Sequence, residues 1–297
     1  MNRSSSAARA GLVGLAVAAT VITVTGCGAV DDGPTSVVEG DPVAHPYNGA
    51  MHVEQDFGDR ASVKKRSGAA GLALECDYPA YDGGAGDYDS GLESVQDSPA
   101  AALDDWLAEE SVDVPDTGYV IEREDDGRAL LSLDVDGRTK VAVIVADDIR
   151  DWDDNSGWGV EAWATCDPAE LGAAYHSSYG VRVWHDANGD PVPLAKVKSF
   201  PGSEHCDWQD ITFLYVGMEP DQDTYLRDTE GELRQVLATT FSADSKLPPD
   251  ARDTGWHDKG RELWLQPGRP DAAYLVSVDD PKDVERWPAA KDGVGCA

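Results

Sequence analysis

The sequence predicts an α+β fold built from a tandem duplicated module, each copy an antiparallel sheet covered by one helix and closed by one disulfide. Three observations lead there. Cys76 to Cys166 and Cys206 to Cys296 both span 90 residues, and the second span begins 130 residues after the first. At that offset Val53, Asp56, Cys76 and Asp77 meet Val183, Asp186, Cys206 and Asp207, while Leu103, Leu107 and Ala108 meet Leu233, Leu237 and Ala238. The order of features repeats as well. Asp116-Thr117-Gly118-Tyr119 corresponds to Asp253-Thr254-Gly255-Trp256 across a seven-residue insertion, Gly127-Arg128 to Gly260-Arg261, and Asp147-Asp148 to Asp279-Asp280.

In chain order, residues 1–26 have the build of an export signal. Arg3 and Arg9 precede an apolar run of 14 residues, Gly11 to Val24, too short for a membrane span of about 20 residues. The run ends in Val24-Thr25-Gly26-Cys27, which resembles the lipobox of bacterial lipoproteins. That resemblance implies a diacylglyceryl group on the Cys27 thiol, cleavage after Gly26 and acylation of the new amino group, giving the multiple chains that a stable anchor needs. Residues 27–46, with Gly33-Pro34, Asp41-Pro42 and Pro46, read as a flexible tether. Module 1 is expected over 47–175 and module 2 over 176–297, as two modules or as one composite domain.

Each module should place its helix ahead of its strands. Ser98-Pro99 supplies an N-cap and a first-turn proline, and Leu103, Trp106 and Leu107 follow at helical spacing. In the second copy Thr229 and Glu232 form a capping box ahead of Leu233, Val236 and Leu237. Tyr119 to Glu124 reads as a strand turning at Asp125-Asp126-Gly127. Leu131, Leu133 and Val135 alternate with Ser132, Asp134 and Asp136, the pattern of a half-buried strand. Asp136-Gly137 signals a hairpin into a return strand through Val141, Val143 and Val145, and Gly159 to Cys166 is a fourth strand. The second copy offers Leu263 and Leu265, a turn at Pro267-Gly268, then Tyr274, Val276 and Val278. Between the modules a hairpin over Val181–Asp186 and Val192–Ser199 should turn at Asn188-Gly189.

Charge bounds the partners. The chain carries 56 acids against 24 Lys and Arg, a formal charge of −32. Loss of Arg3 and Arg9 with the signal would bring it to −34. Nucleic acid is excluded as a partner, since its phosphates call for Lys and Arg. Anionic headgroups are repelled, so attachment to a membrane falls to the lipid. Acidity suits a divalent cation, a basic partner, or plain solubility beside a crowded surface.

Beyond Cys27 four cysteines remain, an even number that reads as two disulfides in an oxidising compartment. Three pairings are open. The repeat favours Cys76–Cys166 with Cys206–Cys296, each closing a loop worth roughly 4–5 kcal/mol on the chain-entropy model. A zinc site using cysteine and His205 is disfavoured by the absence of any CxxC pair.

Catalytic signatures are missing from the sequence: no G-x-S-x-G elbow, no H-E-x-x-H, no Walker loop. The six histidines, His45, His52, His176, His185, His205 and His257, include no pair at ligand spacing. Tyr81 to Gly91 approaches a calcium repeat, but Tyr88 stands where aspartate is needed. Asp186 to Asp190 opens like a calcium loop, but Pro191 occupies the turning position. The one acidic stretch with chemistry to offer is Asp147, Asp148, Asp151, Asp153 and Asp154, around Trp152 and ahead of Trp158 and Trp163. Such a loop could coordinate a hard cation, set acids beside aromatic platforms for a sugar, or simply be a solvated turn.

Segments such as GAAGLALEC (68–76), DGRALLSLDVDGRTKVAVIVADD (126–148), WGVEAWATCDPAEL (158–171) and EHCDWQDITFL (204–214) resemble a family of exported proteins from high-GC Gram-positive bacteria. The resemblance runs from about Tyr47 to the C-terminus. It implies an extracytoplasmic location and supports the disulfides, and it assigns no activity. The expected protein is therefore a lipid-anchored binding or structural component on the outer face of the cytoplasmic membrane, with no cofactor. Its partner would be a cell-envelope protein, a glycan or a cation. The alternatives are a cell-wall-directed hydrolase using acids from Asp147 to Asp154, and a divalent-cation-binding surface protein.

Overall fold

The fully buried apolar run Val141–Ala146 folds into the centre of a five-stranded antiparallel sheet. In the computed structural model, which describes residues 36–38, 45–58, 60–86, 95–109, 114–178, 180–218, 221–268, 271–291 and 294, that sheet comprises β1 (Asp82–Ala85), β2 (Val120–Asp125), β3 (Arg128–Val135), β4 (Arg138–Arg150) and β5 (Ser156–Thr165). Their order is β1-β5-β4-β3-β2. Two of its hairpins turn on pairs of left-handed residues, Asp126 and Gly127 (φ 48° and 71°), then Asp136 and Gly137 (φ 54° and 74°). That geometry matches the twist of the strands it joins, and aspartate and glycine tolerate it.

Successive residues of β3 and β4 enter two different cores. Leu131, Leu133, Val141, Val143 and Val145 pack with Leu103 and Trp106 of helix α3 (Pro99–Glu109). Leu130, Ala142 and Ile144 pack on the opposite face with Ala69, Ala70 and Ala73, contributed by helix α2 (Gly68–Ala73), which follows α1 (Val63–Arg66). The strand expected to be half-buried is therefore covered on both sides, and even Ser132 is fully enclosed. The sequence pattern misled because two small polar residues interrupt an otherwise two-sided apolar strand.

Helix α4 (Gly172–Ser178) comes next, so the boundary expected between residues 175 and 176 falls inside a helix. The later residues form two more antiparallel sheets. One joins β6 (Val197–Pro201), β7 (Thr212–Val216) and β8 (Asp223–Arg227). The other is a meander of β9 (Arg252–Asp258), β10 (Arg261–Leu265), β11 (Ala272–Ser277) and β12 (Val284–Pro288), ordered β12-β11-β10-β9. Trp184, Val197, Leu214 and Tyr225 meet Leu263, Ala273, Leu275 and Trp287 between the two sheets, which pack face to face. The β9–β10 hairpin turns on left-handed Lys259 and Gly260 (φ 46° and 77°), as the β2–β3 hairpin does.

The fold is thus α+β and sheet-rich, with three sheets where two helix-covered sheets were expected. The helix expected from Thr229 to Leu237 does not form. Asp228 accepts hydrogen bonds from the backbone N–H groups of Gly231, Glu232 and Leu233, and this local capture holds the segment as turns. Leu233 and Leu237 are buried all the same. The hairpin expected across 181–199 is reduced to its Asn188-Gly189 turn and isolated bridges, because His185 pairs with His257 of β9. Within the expected tether, Ser36 to Val38 docks: Val37 bridges Tyr119, and the Ser36 N–H donates to Asp104.

Asp167 ties the first half of the chain to the second, accepting from the N–H groups of Ala169, Leu194 and Ala195. All described residues belong to one compact unit, Thr35–Ala297. Residues 1–35, including the expected signal and Cys27, lie outside the described residues, as do Cys296 and residues 87–91 of the Tyr81–Gly91 segment. No helix among the described residues is long and apolar enough to cross a membrane.

Candidate binding site

The acidic stretch singled out in the sequence is the end of one hairpin. Asp147 and Asp148 extend β4, and Asp151 to Asn155 turn the chain into β5. Three of the five carboxylates there are occupied separately. Asp151 receives the Asn155 side-chain amide and the N–H groups of Asp153 and Asn155. The Asn155 amide leads in holding the Asp151 carboxyl below its ordinary pKa. Asp148 faces Arg128 at 3.8 Å and Asp154 faces Arg150 at 3.7 Å. Trp152 is 62% exposed at the tip, whereas Trp158 and Trp163 pack inward on the first core. The fold does not bring these five acids to one point.

Among the described residues, only Cys76, Cys166 and Glu170 hold three potential metal-donor atoms within 4.8 Å of one another. Both sulfurs are committed to the Cys76–Cys166 disulfide (Cα–Cα 5.3 Å), so this group is a staple and offers no metal set. Beside it the enclosed Lys140 ammonium reaches Glu170 at 2.6 Å, the Glu75 carbonyl at 3.0 Å and Asp77 at 3.2 Å. Glu170 also accepts from the N–H groups of Asp77 and Tyr78. A hollow of about 480 Å³ opens on this node, but Lys140 and Glu170 already hold partners on the segments beside the disulfide. Its chemistry is that of a joint.

The surface with binding character lies on the outer face of β6 and β7. In the β6–β7 register Phe200 stands opposite Phe213, and Lys198 opposite Tyr215, so all four share one face. Trp208, from the turn after the short helix Glu204–Cys206, closes one end with its ring 5.9 Å from Phe213. Phe213 stacks on Tyr215 at 6.3 Å with 15° between planes, and Phe200 lies 6.3 Å from Tyr215. The Lys198 ammonium sits 5.9 Å from both the Phe200 and Tyr215 centroids. Burial raises the Tyr215 phenol above its ordinary pKa, so it stays a neutral donor through the physiological range.

These rings line a cleft of about 410 Å³ with Ser203, His205, Cys206 and Val294 at its rim. Leu233 and Leu237 cover the neighbouring part of the same face, leaving Phe200, Trp208 and Tyr215 half-buried. No family model, no curated protein and no solved structure matches this chain. The cleft must be read from its own chemistry. A few polar groups around a mainly aromatic wall are the composition of a ligand site.

Ser203 and His205 are hydrogen-bonded at 2.6 Å. Among the described residues no carboxylate is bonded to that imidazole, so the pair lacks the orienting acid of a nucleophilic triad. Of the residues named from sequence, His205 and Cys206 reach this cleft. The ring cluster was missed because Phe200 and Trp208 join Phe213 and Tyr215 only through strand register and a turn. The alternation Phe213-x-Tyr215 was its one sequence signal.

Proposed function

We propose that this chain is a membrane-anchored extracytoplasmic lipoprotein, a non-enzymatic binding protein of the cell envelope that takes a glycan in the cleft of Phe200, Trp208 and Tyr215. The observation that carries the binding role is this half-exposed ring cluster with Lys198, Ser203 and His205 around it. Aromatic faces accept the C–H face of a sugar, and the polar rim meets its hydroxyls. The Val24–Cys27 motif supports the anchor, with Cys27 as the lipidated residue. The resemblance to exported proteins of high-GC Gram-positive bacteria supports the location.

The two meanders, with matching left-handed turns at Asp126-Gly127 and Lys259-Gly260, support descent from one duplicated module. Cys206 is disulfide-bonded, and Val294 lines the same cleft as Cys206. Both support Cys296 as its partner and a second staple matching the first.

The test has two arms. The wild-type chain should incorporate labelled palmitate and sediment with membranes, and Cys27→Ser should do neither. Solubilised cell-wall glycan should give saturable heat in calorimetry with wild type and with Trp152→Ala, and lose it with Trp208→Ala. Binding that survives Trp208→Ala would overturn the cleft assignment.

A further inference from the structure

Two histidines 72 positions apart in sequence meet across a strand pair. His185 and His257 exchange both backbone hydrogen bonds, at 2.9 and 2.8 Å. Their rings lie on the same side with centroids 6.1 Å apart. On the other flank of β9, His257 is directly opposite Glu262 of β10. Directly opposed residues of adjacent antiparallel strands project to the same face, with Cβ atoms about 4.5–5.5 Å apart. His185, His257 and Glu262 therefore form one row across three adjacent segments, two imidazoles and a carboxylate.

We propose that this row is a binding site for a first-row transition-metal ion of the zinc type, independent of the glycan cleft. The donor chemistry selects the ion. Imidazole nitrogens suit Zn²⁺, Cu²⁺ and Ni²⁺, whereas Ca²⁺ and Mg²⁺ require oxygen ligands. Two histidines and one carboxylate are a known zinc ligand set that leaves a coordination position open.

The surroundings agree. His257 and Glu262 line a hollow of about 290 Å³ with Asp253 and Val278, room for an ion and its water. The other nearby acids have partners of their own: Asp253 accepts the Gly255 N–H at 2.8 Å, Asp258 pairs with Arg182 at 2.5 Å, and Asp186 accepts the N–H groups of Asn188 and Asp190 in its own turn. Glu262 receives the Trp264 indole N–H at 3.2 Å on one oxygen, a contact that orients the carboxylate as outer-shell partners do. The three donors are not among the groups already gathered within 4.8 Å, so ligation requires their side chains to rotate together.

The test is titration of the purified protein with Zn²⁺ by calorimetry and with Co²⁺ by visible absorption. One equivalent should bind. Removing an outer-shell partner alone typically costs about 10–100-fold in affinity, so losing a ligand should cost at least about tenfold. That loss is expected in each of His185→Gln, His257→Gln and Glu262→Gln, with His205→Gln and His176→Gln unchanged. The strand bridge is made by backbone groups, so the glutamine variants keep it, and far-ultraviolet circular dichroism checks that they do. Absence of saturable one-to-one binding would overturn the proposal. So would undiminished binding in the His185→Gln/His257→Gln double variant, or equal loss in the His205→Gln control.

Discussion

The two four-stranded meanders are alike in connection and hairpin chemistry and unlike in what covers them. β2 to β5 is enclosed on both faces by helices, with α3 on one side and α2 on the other. β9 to β12 has one face against β6 to β8, while the other carries a thin cluster of Tyr274, Val276, Val284 and Trp264 with Leu247. Hairpins are local: two residues that accept positive φ suffice, and both meanders have them. A covering layer is not local, and depends on what the rest of the chain can bring. The doubly covered meander carries the buried ion pair; the singly covered one leaves an open row of His185, His257 and Glu262.

The sharpest way to break this contrast is to remove one charge from each half. Glu170 and Lys140 are both nearly inaccessible, with side chains 3% and 4% exposed. Glu170→Ala removes the nearer of the two carboxylates on an enclosed ammonium and leaves it Asp77 at 3.2 Å, so the expected loss is about 3 kcal/mol, the lower end of the range for breaking a buried pair. In the second half the Arg182 and Asp258 side chains are 30% and 11% exposed, and Asp258→Ala should cost less, about 1–2 kcal/mol. Urea unfolding with an unchanged slope measures both. Equal losses would mean that the two halves enclose their charges to the same degree.

Much of this architecture was legible because it is short-range. Asp-Gly at 126–127 and 136–137, Ser98-Pro99 ahead of a Leu and Trp stripe, and the alternating valines of β4 each act over a few residues. The turn at Asn188-Gly189 is formed as the sequence suggests, but the strands beside it are not, since His185 finds a better partner in β9. Long-range choices of that kind leave no local trace. The same holds for the sites. The aspartates from 147 to 154 are crowded in sequence and dispersed in space, with Asp151 held by its own turn and Asp148 and Asp154 facing separate arginines. Phe200, Trp208 and Tyr215, and likewise His185, His257 and Glu262, are dispersed in sequence and gathered by strand register.

The helix of the first half and the turns of the second offer a smaller comparison. Ser98 caps α3 through one contact, from the Ala101 N–H at 3.2 Å, and Ser98→Ala should cost about 1 kcal/mol. Asp228 is buried and satisfies three N–H groups at 2.8 to 3.0 Å. Asp228→Ala leaves those donors without their acceptor, and about 2–3 kcal/mol is expected. Thermal unfolding of the two variants ranks them. Were Asp228→Ala instead to gain helical circular dichroism, the capping box at Thr229 would be the stronger signal, and Asp228 its suppressor.

The smallest effect expected is a pH effect at Asp77, with Asp207, which likewise follows a cysteine, as its comparison. The Arg138 guanidinium bonded to Asp77, assisted by Lys140 against a partial burial penalty, holds the Asp77 carboxyl below its ordinary value of 3.8. A carboxylate depressed in the folded state adds stability that is complete above its unfolded pKa and is lost as pH falls through the folded one. The gap in stability between wild type and Asp77→Asn should therefore be constant above about pH 5 and close below about pH 4. Asp207 takes part in no salt bridge among the described residues and sits in a left-handed turn position (φ 59°), which makes Asp207→Asn the matched control. Buried Asp167 acts in the opposite sense: burial raises its pKa, so the folded state takes up that proton first and acid relieves the cost of enclosing its charge. Because the two terms oppose, the Asp77 contribution is read as a difference between variant and wild type at each pH. A gap that stays open down to pH 2 would show that Asp77 contributes through packing and not through its charge.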